Sequence, residues 1–210
     1  MRIHKIGHCC LVVEVQGVTI LTDPGAFTTA QSEVKGIDVV LITHEHGDHY
    51  HVPSLKQVLE NNPGAIVITN KAVGALLDGE GIPYVIVGDG ELTEVKGVMI
   101  EGLGTEHGKI YGDAPTAENT GYFVGGALYY PGDSLHDPQK PVDILALPVA
   151  GPWLKMSEAI DYARKLKPRV AFPVHDGFKP DTVWQKWPAD LLPTFGIEFV
   201  TLRDGETHEF

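Results

Sequence analysis

The sequence predicts an α+β protein of two mixed β-sheets with helices on their outer faces. Three observations lead there: strand-like runs recur at short spacing in both halves, helical patterns enter each half only after several strands, and too many adjacent strands lack a crossover helix for an all-parallel doubly wound sheet. At 210 residues the chain is long enough for one substantial core, so residues 1–210 are expected to form one domain. A hydrophobic content of 43%, with 24 Gly and 15 Pro, suits a turn-rich globular protein rather than a disordered acidic chain.

Residues 2–6, 9–16 and 18–22 read as strands, with Gly17 in the turn before the third. Residues 37–43, Ile-Asp-Val-Val-Leu-Ile-Thr, are more continuously apolar, as an inner strand covered on both faces should be. Pro53 is acceptable in the first turn of a helix running to residue 60, whose Leu55, Val58 and Leu59 form an inward stripe. Asn61-Asn62-Pro63-Gly64 ends it, and a strand over 65–69, a helix over 71–78 and a strand over 84–87 follow. The second half supplies strands at 91–95, 97–103, 120–125, 127–131 and 142–148. Helices at 156–166 and 180–187 flank a strand at 169–174, and a last strand covers 196–202. Trp184 and Trp187, three residues apart, are expected to pack together against a sheet, and the polar stretch 104–119 reads as a loop.

Sixteen Lys and Arg against 28 Asp and Glu leave a net charge of −12, which argues against a broad basic surface for nucleic acid but permits a small recessed positive pocket. No stretch approaches the roughly 20 apolar residues of a membrane span. The N-terminus has no signal-peptide pattern, so a cytoplasmic location is expected. Cys9 and Cys10 are adjacent and read as reduced thiols, at least one of them in a core.

Ten histidines raise the question of whether they are scattered or assembled. The run Thr43-His44-Glu45-His46-Gly47-Asp48-His49 answers it in part, because it follows the buried-strand pattern directly. His44 and His46, two apart, can turn to one side of an extended segment, and Gly47 permits a turn that brings Asp48 and His49 toward the same volume. Imidazole nitrogen and carboxylate oxygen suit borderline ions such as zinc. A plain polar loop would leave so dense a set of ligand-capable groups unexplained.

This His-x-His-x-Asp-His pattern resembles the signature of the metallo-beta-lactamase superfamily. The resemblance extends to His107, to Asp133 within Tyr130-Pro131-Gly132-Asp133-Ser134, and to His175 within Phe172-Pro173-Val174-His175. It implies a four-layer αββα fold and two divalent metal ions at one edge of the facing sheets. His44, His46 and His107 would hold one ion, Asp48, His49 and His175 the other, and Asp133 would bridge them. Zinc is the expected metal, with manganese or iron acceptable to the same donors. Such a centre implies a hydrolase in which a bridging hydroxide attacks a small ester, lactone or phosphoester, with Asp48 and Asp133 catalytic. Ser134 then reads as a turn residue rather than a nucleophile.

Ile6-Gly7-His8-Cys9-Cys10 and Leu21-Thr22-Asp23-Pro24-Gly25 resemble a compact branch that includes ascorbate-6-phosphate lactonase-like proteins. That resemblance makes His8 a catalytic candidate, touching substrate or orienting a ligand, and Asp23 a residue that fixes a histidine ring. Candidates on the substrate side are His51 with Tyr50, Lys109 with Tyr111, His136, Trp153 and Lys179. His4 and His208 read as structural or surface residues. The expected partner is a small, soluble, anionic substrate, neither nucleic acid nor membrane, and homo-oligomerisation is a family-level expectation. Two other classes use the same residues. A non-catalytic metal-binding or metabolite-sensing module would bind its ligand unchanged, whereas a metal-dependent nuclease or phosphodiesterase would need a contiguous electropositive track.

Overall fold

A computed structural model describes residues 1–114, 116–177 and 183–210, the side chain of residue 183 excepted. Strands β1 (Arg2–Gly7), β2 (Cys10–Val15) and β3 (Val18–Thr22) form an antiparallel meander. The chain then alternates β4 (Val39–Ile42), α1 (Val52–Asn61), β5 (Ile66–Thr69), α2 (Lys71–Glu80) and β6 (Tyr84–Ile86), and strands β3 to β6 run parallel. The second half repeats this plan. Strands β7 (Leu92–Val95), β8 (Val98–Leu103), β9 (Gly121–Val124) and β10 (Leu128–Tyr130) are antiparallel. They lead into β11 (Ile144–Pro148), α3 (Met156–Leu166), β12 (Val170–Val174), α4 (Val183–Leu191) and β13 (Glu198–Phe199), whose strands run parallel to β10. A last strand, β14 (Thr207–Glu209), pairs antiparallel with β1.

The result is two seven-stranded sheets, ordered β14-β1-β2-β3-β4-β5-β6 and β13-β12-β11-β10-β9-β8-β7. Strand alternation assigns each face its neighbour. Ile20 and Leu41 of the first sheet meet Ile100, Tyr130 and Phe172 of the second in the central core. Val40, Ile42 and Val67 point the other way, onto Leu55 and Val58 of α1 and Val73 and Leu77 of α2. Leu145, Leu147 and Ala171 likewise cover Ala159, Ile160 and Ala163 of α3. The layers are therefore α, β, β and α, as expected. Each fully buried Leu or Ile contributes roughly 1.5–3 kcal/mol relative to exposure.

Local signals set the helix ends. The Asn70 side chain accepts from Val73 N at 3.0 Å to cap α2, and Gly81, at φ 66°, closes it. In α3, Glu158 lies in the first turn and Arg164 and Lys165 in the last, matching the helix dipole.

Three expectations need correction. The predicted 196–202 strand is only Glu198–Phe199, because the 3-10 turn Leu192–Phe195 and Gly196 delay its start and the pairing with β12 ends at the bond from Val200 N to Ala171 O. Strand β14 has no counterpart in the sequence reading. Trp184 packs against the second outer core, but Trp187 is 56% exposed beneath Lys186, so the two do not share a buried face. The first residues of the expected 180–187 helix, and Lys179, lie outside the described residues. Among the described residues no helix is long and apolar enough to cross a membrane.

Candidate active site

The site is assembled where strands of both sheets end. The β1–β2 turn presents His8, at φ 53°, and Asp23 follows directly on β3. After β4 the chain turns through His44–His49, with His46 O accepting from His49 N at 2.9 Å and Tyr50 N at 2.7 Å. Gly25 lets the Asp23 loop lie directly on this turn: a Cβ there would stand 1.8 Å from Asp48 O, so only glycine fits. From the second sheet come His107 after β8, Asp133 after β10 and His175 after β12. Gly108 N donates to Asp133 O at 2.7 Å and Asp133 N to Asn119 Oδ1 at 3.0 Å, tying the 104–120 segment to the Asp133 turn.

Two groups of potential ligands result. His44, His46, His107 and Asp133 each offer a donor atom within 4.8 Å of the others, and so do His8, Asp48, His49 and His175. Asp133 stands between them, 3.3 Å from His107 Nε2, 3.1 Å from His49 Nε2 and 2.8 Å from His175 Nε2. All seven residues expected to bind metal are thus brought together, and His8 joins the second group.

Neighbouring groups orient these rings. His107 Nδ1 donates to Gly108 O at 2.7 Å, leaving Nε2 directed inward. Asp23 is completely buried and accepts from Thr43 N and Thr43 Oγ1, each at 2.8 Å, from His49 Nδ1 at 2.7 Å and from Tyr130 OH. The same Thr43 Oγ1 accepts from His44 Nδ1 at 3.0 Å, so one carboxylate orients His49 directly and His44 through a hydroxyl. Gly177 N donates to His8 Nδ1 at 3.1 Å, which places the His8 proton on Nε2, 3.1 Å from Asp48 Oδ2. Trp153 Nε1 donates to Asp133 Oδ2 at 2.9 Å.

Three buried atoms test whether divalent ions fit: His49 Nε2, His107 Nε2 and Asp133 Oδ1 have no hydrogen-bond partner, although they lie within the same small volume. Leaving such groups unsatisfied costs about 1–3 kcal/mol each, and cation coordination removes that cost. Nitrogen and oxygen donors with inward lone pairs fit the ions implied by the sequence.

The electrostatics of the two groups differ. Burial, reinforced by neighbouring histidines, holds His44 well below the ordinary histidine pKa, and burial lowers His46 and His8 too. Burial also opposes charge on His49 and His175, but carboxylates, Asp133 foremost, outweigh it, raising His49 well above its usual value and His175 to about 10. Asp48 and Asp133 are held low despite burial by the histidines facing them. Divalent cations held by these residues would supply the positive charge the carboxylates favour, in place of the histidine protons.

The remaining candidates lie around this centre. His51 stands just before α1 with Nδ1 2.9 Å from Ser54 Oγ, outside both donor groups. Lys109 and His136 line a cavity of about 400 Å³ with His107, Ser134 and Asp89. Ser134 Oγ accepts from His136 N at 3.1 Å, the turn role expected of it. His4 pairs with Thr207 across the β1–β14 edge, and His208 stands opposite Ile3 on that ladder. Sequence reasoning missed the contacts of Thr43 and Tyr130 with Asp23 and the Trp153 bond to Asp133, which arise from tertiary contacts with no spacing rule.

The αββα fold and the paired donor groups sharing a central aspartate define a dinuclear metal-dependent hydrolase. A family model described as a beta-lactamase superfamily domain matches residues 2–175, and the chain belongs to the metallo-beta-lactamase superfamily. It is 37% identical over 180 residues to Protein Rv0786c of Mycobacterium tuberculosis, with 83% of this chain and 84% of that protein covered. A UPF0173 metal-dependent hydrolase of Methanopyrus kandleri is 28% identical over 243 aligned positions, with full coverage of both chains. Igni18, a metallo hydrolase of Ignicoccus hospitalis, shares the fold with a TM-score of 0.78 at 20% identity, covering 100% of this chain and 98% of its own.

Proposed function

We propose that residues 1–210 form one catalytic domain, located in the cytoplasm, that hydrolyses a small anionic ester, lactone or phosphoester with two zinc ions. The observation that carries this reading is the placement of Asp133 between two donor groups, with Asp133 Oδ1, His49 Nε2 and His107 Nε2 buried close together and none of them in a hydrogen bond. His44, His46 and His107 would hold one ion, Asp48, His49 and His175 the second, and Asp133 both. When bound, such ions supply a water of lowered pKa and positive charge for the oxygen on which negative charge develops.

The protein's own residues set the rest. Asp48, 17% exposed at its side chain, is the acidic donor of the second group open to incoming substrate and suited to orient the attacking water as a hydrogen-bond acceptor. His8 holds Asp48 in place through Nε2. Asp23 and Thr43 keep His49 and His44 in the orientations a metal requires. Lys109 and His136, beside His107, suit a negatively charged portion of the substrate, and the overall charge of −12 disfavours a nucleic acid. The His8 and Asp23 turns support placement near the lactonase-like branch.

The test joins metal analysis of freshly purified protein to a screen of esters, lactones and phosphodiesters on the same preparation. About two metal ions per chain with turnover of one small-substrate class is the expected result. Full metal occupancy with specific binding but no turnover across the panel would point to a sensing module instead. Cleavage confined to RNA or DNA would establish the nuclease reading.

A further inference from the structure

We propose that Cys9 is an additional ligand of this centre, supplying a thiolate to an ion position that it forms with His49 and Asp133. The inference rests on the dinuclear reading above and extends it to a residue outside the family's His-x-His-x-Asp-His pattern.

Cys9 Sγ, a ring nitrogen of His49 and a carboxylate oxygen of Asp133 all lie within 4.8 Å of one another, and all three residues are buried. A buried cysteine ordinarily serves as a small apolar side chain, and Cys9 does border Leu11 and Val174 in the central core. What distinguishes it is the chemistry opposite: His49 Nε2 and Asp133 Oδ1 are buried 3.1 Å apart, and neither makes a hydrogen bond. His49 already commits Nδ1 to Asp23, so Nε2 is the atom left for this position.

The backbone around Cys9 is fixed by the same residues that organise the histidines. Cys9 O accepts from Thr22 Oγ1 at 2.7 Å and from Tyr130 OH at 3.2 Å, and Tyr130 OH also reaches Asp23. Cys10 belongs to the opposite core, with Val40, Ile42 and Leu55, so strand alternation sends the two adjacent thiols to different faces. Only Cys9 looks into the centre.

Ligation breaks the S–H bond, forms a sulfur–metal bond and releases the proton to solvent, with no change in oxidation state. One sulfur among nitrogen and oxygen donors makes that position softer, favouring zinc or cobalt over manganese. His49 Nε2 carries one lone pair, so the second ion would sit either with Asp48 and His175, open to substrate, or with Cys9, closed beneath by sulfur, while the total stays at two ions per chain.

Cobalt(II) loading of the full chain tests this without reference to turnover. The expected result is about two cobalt ions per chain and a near-ultraviolet thiolate-to-cobalt charge-transfer band that Cys9→Ser abolishes and Cys10→Ser retains. Zinc-edge X-ray absorption of the unmodified protein should show a sulfur scatterer at about 2.3 Å, so the outcome does not depend on either variant folding. Two bound ions with neither the band nor the sulfur scatterer would overturn the role of Cys9 while leaving the dinuclear reading intact. Failure to bind any divalent ion would overturn both.

Discussion

Asp23 follows β3 and Asp133 follows β10, the strands at which each sheet passes from antiparallel to parallel pairing. The two carboxylates occupy corresponding places in the two halves but have opposite surroundings. Asp23 receives four hydrogen bonds from Thr43, His49 and Tyr130. Asp133 takes one donor from outside the candidate ligands, Trp153 on Oδ2, and otherwise faces the Nε2 atoms of His175 at 2.8 Å, His49 at 3.1 Å and His107 at 3.3 Å. A carboxylate whose lone pairs are taken by Thr, Tyr and a committed His nitrogen is suited to orient other side chains, whereas one that faces the Nε2 atoms of three candidate ligands is suited to share an ion with them.

Substitutions can break this contrast from either side. Asp133→Asn should have the largest effect, removing the charge common to both donor groups. Hydrolysis should fall by about a thousandfold or more, and metal content from two ions per chain to one or none, read by elemental analysis. Asp23→Asn should act at one remove: an amide nitrogen replaces an acceptor that three donors share, His49 loses its fixed orientation, and metal affinity should fall by about 100-fold in a competitive chelator titration. An unchanged affinity would mean that Asp23 serves only folding.

Trp153→Phe keeps an aromatic ring but deletes the Nε1 donor to Asp133, and should weaken metal binding by about tenfold. The same ring also fills the space beside Gly108, where a Cβ would approach Trp153 Cε3 to 2.1 Å, so Trp153→Ala should cost stability as well. The smallest effect is expected for Tyr130→Phe, which leaves Asp23 three of its four donors. It should cost about 1–2 kcal/mol in denaturant unfolding with little change in metal affinity.

The same contrast shows what was legible in the sequence. His44 to His49 could be read directly, because four donors fall in a six-residue run after an apolar strand. His107, Asp133 and His175 were found through their resemblance to a family pattern, since each stands alone at its own strand end. Tyr130 lies 107 residues from Asp23 and Trp153 lies 20 from Asp133, and neither separation carries a periodic signal. The strand plan was legible from hydrophobic alternation, whereas β14 escaped because Thr207-His208-Glu209 has little apolar character and is held by pairing with β1.

That pairing has a consequence for how the chain folds. Ile3 stands opposite His208, so the first sheet gains its outer strand only when residues about 200 positions apart meet. A contact so distant in sequence adds to the loop-closure entropy folding must overcome, and topologies rich in such contacts fold slowly. Until β14 arrives, β1 offers an unpaired edge of backbone donors and acceptors to any passing strand. A ribosome-bound chain that has emerged only through His175 would already hold every proposed ligand while still exposing that edge, so aggregation during synthesis should be most sensitive to changes in the final strand.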